Sequence, residues 1–152
     1  VRAGLHRIAA AGLPFDLVIR ADQLPSAARA AHALPDVRFV LDHLGKPPIR
    51  AGGLEPWAAG LAALAAAPNV TAKLSGLVTE ADWPGDDLRP YVETAVDLFG
   101  PRRLMFGSDW PVCLLAASYR EVRDALTAAL PALTAAERAD IFGGTATRVY
   151  GL

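Results

Sequence analysis

Leu104-Met105-Phe106-Gly107-Ser108-Asp109-Trp110-Pro111-Val112 is the stretch that decides how this chain is read. Leu104 to Phe106 is the end of an apolar strand. Gly107 and Ser108 then deliver Asp109 to its tip. Gly107 lets other groups approach the backbone closely, and Pro111 forbids continuation and pushes Trp110 into an extended shape. A carboxylate at the end of a buried strand costs free energy unless it is paired, hydrogen-bonded or metal-bound. Asp109 therefore reads as a functional group, such as a general base for water. The structural alternative is a cap that accepts backbone N–H groups two or three residues on.

Three further apolar strands precede this one: Phe15 to Arg20 (FDLVIR), Val37 to Asp42 (VRFVLD) and Val70 to Ser75 (VTAKLS), with Arg103 to Ser108 as the fourth. In the first, Phe15, Leu17 and Ile19 share one face, and Asp16, Val18 and Arg20 the other. Helical spacing covers Arg2 to Ala11, Asp22 to Leu34 with Asp22 as cap, and Glu55 to Ala66. Asp86 or Asp87 is the cap candidate of a further helix that runs to Phe99, and two more follow near Ser118 to Leu130 and Thr134 to Phe142. Thr134 and Glu137 form a capping-box pattern. Gly76 to Asp86 reads as a loop. The resulting order, βα repeated four times, predicts an α/β fold with parallel strands joined by helical crossovers, in one domain over residues 1–152.

Composition narrows the function classes. Hydrophobic residues make up 53% of the 152 and charged residues 20%, which suits a chain with a real core. The net charge is −1 and no basic stripe exists, so nucleic acid is not an expected partner. Apolar runs are broken well short of a membrane span, and no leader or lipidation motif is visible, which points to a cytoplasmic protein without membrane contact. The single cysteine, Cys113, permits no internal disulfide and no cysteine-cluster metal site. It reads as a small apolar filler rather than a nucleophile.

Groups at the carboxyl ends of parallel strands meet at one rim, where the following loops leave. Here those ends carry Arg20, His43, Lys73 to Ser75, and Asp109. His43 is suited to ligate a divalent metal or, as neutral imidazole, to polarise a carbonyl. Thr71, Lys73 and Ser75 share a face, and an inward Lys73 needs an anion: substrate, or Asp109. Otherwise its stem snorkels to solvent. Arg20 either forks onto a substrate carboxylate or is simply solvated. Glu80 and Lys46 lie in loops that reach over the same rim. No P-loop and no Gly-x-Ser-x-Gly elbow occurs.

LDHLGKP (Leu41 to Pro47), KLSGL (Lys73 to Leu77), FGSDWPV (Phe106 to Val112) and FGGTATRVYGL (Phe142 to Leu152) together resemble the amidohydrolase-2 group of TIM barrels. The nearest branch is the sugar lactonases and pyrone-dicarboxylate-lactonase-like enzymes. The resemblance implies a distorted (β/α)8 barrel that hydrolyses lactones, with Asp109 as general base and His43 on the metal or the carbonyl. It also implies that Lys73, Ser75 and Trp110 occupy recurring positions, grouped here with Arg20 and Glu80 as substrate-binding residues. His43 and Asp109 are the metal-ligand candidates for a zinc-type divalent ion.

The chain departs from that family in lacking a His-x-His pair, and a full barrel takes about 250 residues. The four βα units then correspond to strands five to eight. Val1 in place of Met, directly followed by a helical pattern, agrees with an amino-terminal half that is missing. The metal site would be incomplete in this chain. Half a barrel would expose the edges of FDLVIR and RLMFGS, which invites self-association and predicts poor activity in isolation. The expected reaction is hydrolysis of a sugar-acid lactone. A pyrone dicarboxylate would call for several arginines at strand ends, and only Arg20 is there. The alternatives are a metal-dependent decarboxylase of the same superfamily and a non-catalytic half-barrel.

Overall fold

Strands form at all four expected places, each shorter than its apolar run: β1 Phe15–Leu17, β2 Phe39–Leu41, β3 Val70–Leu74 and β4 Leu104–Phe106. The computed structural model describes residues 2–152, and Val1, on which the expectation of a missing start rests, lies outside them. The strands pair in parallel in the order β1-β2-β3-β4. The register places Asp16 beside Val40, Val40 beside Thr71, and Lys73 beside Met105. Among the described residues β1 and β4 each pair with one strand only.

The connections are α1 Arg2–Ala10, α2 Leu24–Ala33, α3 Trp57–Ala65, α4 Leu77–Glu80 and α5 Arg89–Phe99, then α6 Tyr119–Ala129, α7 Ala135–Ala139 and α8 Thr145–Tyr150. No helix among the described residues is long and apolar enough to cross a membrane.

The two-residue alternation sorts each strand between two faces. Phe39, Leu41, Val70, Ala72, Leu74 and Leu104 join Leu24, Trp57, Leu61, Leu64 and Val92 in one core beneath the helices. Val40 and Met105 are equally buried but stand outside that core, on the inner face with Asp16 and Lys73. This helix-covered outer face and partly polar inner face make the arc of a (β/α) barrel.

Three local expectations need correction. Asp22 does not cap a helix: it sits inside a 3-10 turn, Ala21–Gln23, and α2 starts at Leu24 with Pro25 in its first turn. The segment after β3 is not loop throughout, because Leu77 and Val78 bury themselves and α4 forms around them. The third lies past Phe142: the turn Asp140–Gly144 breaks at Gly143, with φ 179° and ψ −45°, and an unexpected helix, α8, follows, where buried Thr145 and Arg148 both donate to the Arg102 carbonyl at the entry to β4. The expected capping box holds, with Glu137 N–H donating to Thr134 Oγ1 and Thr134 N–H to Glu137 Oε2.

Candidate active site

The exit from β2 is wound the wrong way for ordinary residues. His43, Leu44 and Lys46 have φ of 53°, 49° and 55°, and Gly45 lies between them at 69°. Left-handed backbone costs roughly 1–2 kcal/mol for each non-glycine residue, so the surrounding fold must enforce it. It does so by burying Leu44 completely and by a hydrogen bond of 2.8 Å from Trp57 Nε1 to the Leu44 carbonyl. Gly45 is required twice, by its positive φ and because a Cβ there would meet Leu24 Cδ2 at 2.8 Å. Strain of this kind, held by tertiary packing, gathers at functional sites.

That turn throws the His43 ring back over the ends of β3 and β4. Nδ1 lies 2.9 Å from the hydroxyl of Ser75, which is 4% exposed, and Nε2 lies 3.7 Å from Asp109 Oδ1. Asp109 also has a left-handed backbone, φ 57°. Its carboxylate accepts no backbone hydrogen bond among the described residues, so it is not the cap of the following segment. Its main-chain carbonyl accepts from Cys113 N–H instead, and Ser108 Oγ accepts from Trp110 N–H. A gap of 3.7 Å is too long for a direct hydrogen bond, but it lets one oxygen, of water or of a carbonyl, touch both groups. The His43 and Asp109 side chains are 18% and 16% exposed, so small molecules can reach them.

Gly107 has the close approach that the sequence suggested: a Cβ there would stand 2.9 Å from Ser75 Cβ. Gly76 does the same for the imidazole. It has φ 67°, and a Cβ would stand 2.7 Å from His43 Nδ1.

Lys73 points inward and finds its anion, but not Asp109. Nζ donates to Asp16 Oδ2 at 2.7 Å and lies 2.7 Å from Asp42 Oδ1. The second contact is an ion pair misaligned for hydrogen bonding, which leaves that buried Asp42 oxygen without a donor. Tyr150, at the end of α8, donates its hydroxyl to Asp16 at 2.9 Å from Oδ2, with its ring 5.4 Å from the Lys73 ammonium. Burial alone would lower the pKa of Lys73, but the carboxylates of Asp16 and Asp42, with Tyr150, outweigh it and raise it above its ordinary 10.5. Lys73 is therefore a held cation and not a proton-transfer group. Burial, first, and the Asp16 carboxylate push the Tyr150 hydroxyl up, against the pull of Lys73.

Lys46, Glu80 and Arg20 lie apart from this pair. Lys46 and Glu80 form a half-exposed ion pair at 3.0 Å. With Arg20, Asp22 and Pro48 they line an open polar cleft of about 420 Å³ at the ends of β1 to β3. Trp110 is 65% exposed, and Cys113 is fully buried. Sequence reasoning missed Asp16, Asp42 and Tyr150. The signal available was the pattern itself: Asp16 alternates onto the polar face of its strand, and Asp42 immediately precedes His43. Among the described residues no three His, Cys, Asp or Glu side chains converge. His43 and Asp109 are two donors, and zinc ordinarily takes four ligands. The residues present do not by themselves fit a metal.

Comparison with known proteins now bears on this geometry. The model of the amidohydrolase family matches residues 1–152. An L-fucono-1,5-lactonase of Burkholderia multivorans is 49% identical over 152 residues, covering 91% of this chain and 51% of that protein. A second L-fucono-1,5-lactonase, from Burkholderia ambifaria, is 42% identical over 144 residues and covers 91% and 50%. The crystal structure of an amidohydrolase from Burkholderia multivorans with bound zinc superposes with a TM-score of 0.93 at 45% identity, over 99% of this chain and 56% of that one. The chain thus spans about half the length of the curated relatives it matches.

Proposed function

The chain belongs to the amidohydrolase family, and from that premise we propose that it supplies one wall of the active site of a sugar-acid lactone hydrolase. The observation that carries the reading is the placement of His43 Nε2 3.7 Å from Asp109 Oδ1 at the strand ends, both reachable from solvent. In this reading residues 1–152 are the carboxyl-terminal part of a barrel, with β1 to β4 as strands five to eight.

Asp109 takes a proton from a water held between it and His43. The water attacks the lactone carbonyl, and His43 donates a hydrogen bond from Nε2 to the oxygen on which negative charge develops. Collapse of the intermediate breaks the ring C–O bond, and the proton held by Asp109 passes to the leaving alkoxide. Arg20 and Glu80, in the polar cleft with Lys46, are suited to the hydroxyl groups of the acid. Trp110, exposed beside Asp109, offers an apolar face to a sugar ring. Lys73 is neutralised by Asp16 and Asp42, and the Ser75 hydroxyl is engaged by His43, so neither is assigned to substrate. Because the donor set here does not fit a metal, no step is routed through one. A zinc-type ion would need ligands beyond His43 and Asp109.

The test joins this chain to the half of an L-fucono-1,5-lactonase that it does not match and assays aldonic-acid lactones. Turnover that vanishes with Asp109→Asn is expected. Turnover untouched by Asp109→Asn and by His43→Gln would overturn the reading. The single-sided pairing of β1 and β4 also supports self-association of the isolated chain, and gel filtration showing only a monomer would overturn that.

A further inference from the structure

We infer that Ser75 is a positioning residue that fixes His43 in the neutral tautomer with its proton on Nε2. The inference rests on the proposed role of His43 and deepens it by naming which ring nitrogen does the work. The Ser75 hydroxyl is buried, and its one hydrogen-bond partner among the described residues is His43 Nδ1, at 2.9 Å. A hydroxyl has one proton to give and must give it somewhere when water is excluded. If Ser75 accepted from an Nδ1–H, its own proton would have no acceptor. If it donates, that proton is satisfied, the Nδ1 lone pair is used, and the neutral ring carries its hydrogen on Nε2. Nε2–H then faces the Asp109 carboxylate across the 3.7 Å gap.

The packing leaves little room for another arrangement at Nδ1. Gly76 lies against the ring so closely that a Cβ would come within 2.7 Å of Nδ1. Gly107 backs Ser75 so closely that a Cβ would come within 2.9 Å of Ser75 Cβ. The two glycines let β3 and β4 close on the imidazole from behind, and Ser75 is the polar group delivered there. The consequence is a division of labour. His43 meets the substrate as an N–H donor to the carbonyl oxygen, while Asp109 alone has a lone pair for the proton of water. Using Nε2 as a base would require the opposite tautomer, and with it the loss of the Ser75 hydrogen bond.

The experiment is long-range 1H–15N correlation of the imidazole rings in the 15N-labelled chain at about pH 9, above the ordinary histidine range. His43→Gln separates the His43 signals from those of His6 and His32. The expected spectrum shows His43 protonated on Nε2. Ser75→Ala should move the ring to a mixture of tautomers, a several-fold change in their ratio. Gly107→Ala keeps the hydroxyl but displaces it, and should produce the same change. An Nδ1–H tautomer in the wild type overturns the inference on that spectrum alone, even if a variant fails to fold. So does a wild-type ratio in folded Ser75→Ala. The readout involves no turnover, so loss of the lactonase reading through an active His43→Gln enzyme would leave it standing or fallen on its own.

Discussion

Two charged clusters meet the inner side of β3, two residues apart, and they are finished to different degrees. Around Lys73, the Asp16 and Asp42 carboxylates each close to 2.7 Å from one ammonium, and the Tyr150 hydroxyl donates to Asp16 beside it. Around His43, Ser75 occupies one ring nitrogen, while the other stops 3.7 Å short of Asp109. The first cluster joins β1, β2, β3 and α8 and holds the arc together. The second holds its members in left-handed backbone, φ 53° and 57°, and leaves capacity facing solvent. Charges that pair with one another stabilise a fold, and pre-positioned groups with capacity facing solvent are available for chemistry.

The largest expected effect breaks the comparison from the His43 side. In the joined protein Asp109→Asn should lower kcat by about 10³-fold, within the range of lost general-base catalysis, with the melting temperature almost unchanged. A fall in stability with kcat intact would exchange the roles of the two clusters. On the other side, Lys73→Met leaves two carboxylates facing each other without a cation, and should cost about 3 kcal/mol of stability by denaturant unfolding. Lys73→Arg should recover part of it. The sign with pH follows from the raised pKa of Lys73. Its stabilisation is complete below the unfolded value of 10.5 and is lost as pH climbs through the higher folded value. The gap between wild type and Lys73→Met should therefore be constant from about pH 7 to pH 9 and narrow only in stronger alkali.

How much of this could be read from the chain divides along the same line. The strand sites were legible because apolar runs bounded by turn residues are local signals. Asp109 stood out because a carboxylate after LMFGS breaks the pattern of a strand end, and His43 because it follows VRFVLD in the same way. The resemblance in DHLGKP and FGSDWPV supplied the family. The partners of Lys73 were not legible, because Asp16 is 57 residues away from it and Tyr150 is 134 residues away from Asp16. Only tertiary packing brings them together: the register sets Asp16 level with Thr71, two residues before Lys73, and Tyr150 arrives from α8. Nor did the sequence announce the left-handed run, since only Gly45 among His43, Leu44, Gly45 and Lys46 is a residue that favours it. That conformation comes from the burial of Leu44 and the Trp57 hydrogen bond, both tertiary.

A smaller effect sharpens where the boundary between the clusters lies. Gly76→Ala places a Cβ against His43 at a residue with φ 67°. The backbone term alone is about 1–2 kcal/mol, and the imidazole must move as well. Stability and turnover should both fall, with the Lys73 pairing untouched. If turnover survives, the ring position matters less than the geometry suggests.

The smallest effect is the control on which the others depend. Thr134 caps α7 through a reciprocal pair with Glu137, on exposed surface remote from both clusters. Thr134→Ala removes the acceptor for the Glu137 N–H and should cost about 1 kcal/mol. Turnover in the joined protein should stay at the wild-type level, because nothing in that pair touches β3. The measurement matters because a marginal arc could lose activity from any destabilisation at all. If Thr134→Ala lowered kcat in proportion to its loss of stability, the fall in Gly76→Ala would report on folding and not on the ring. An unchanged kcat assigns that fall to the imidazole and keeps the two clusters distinct.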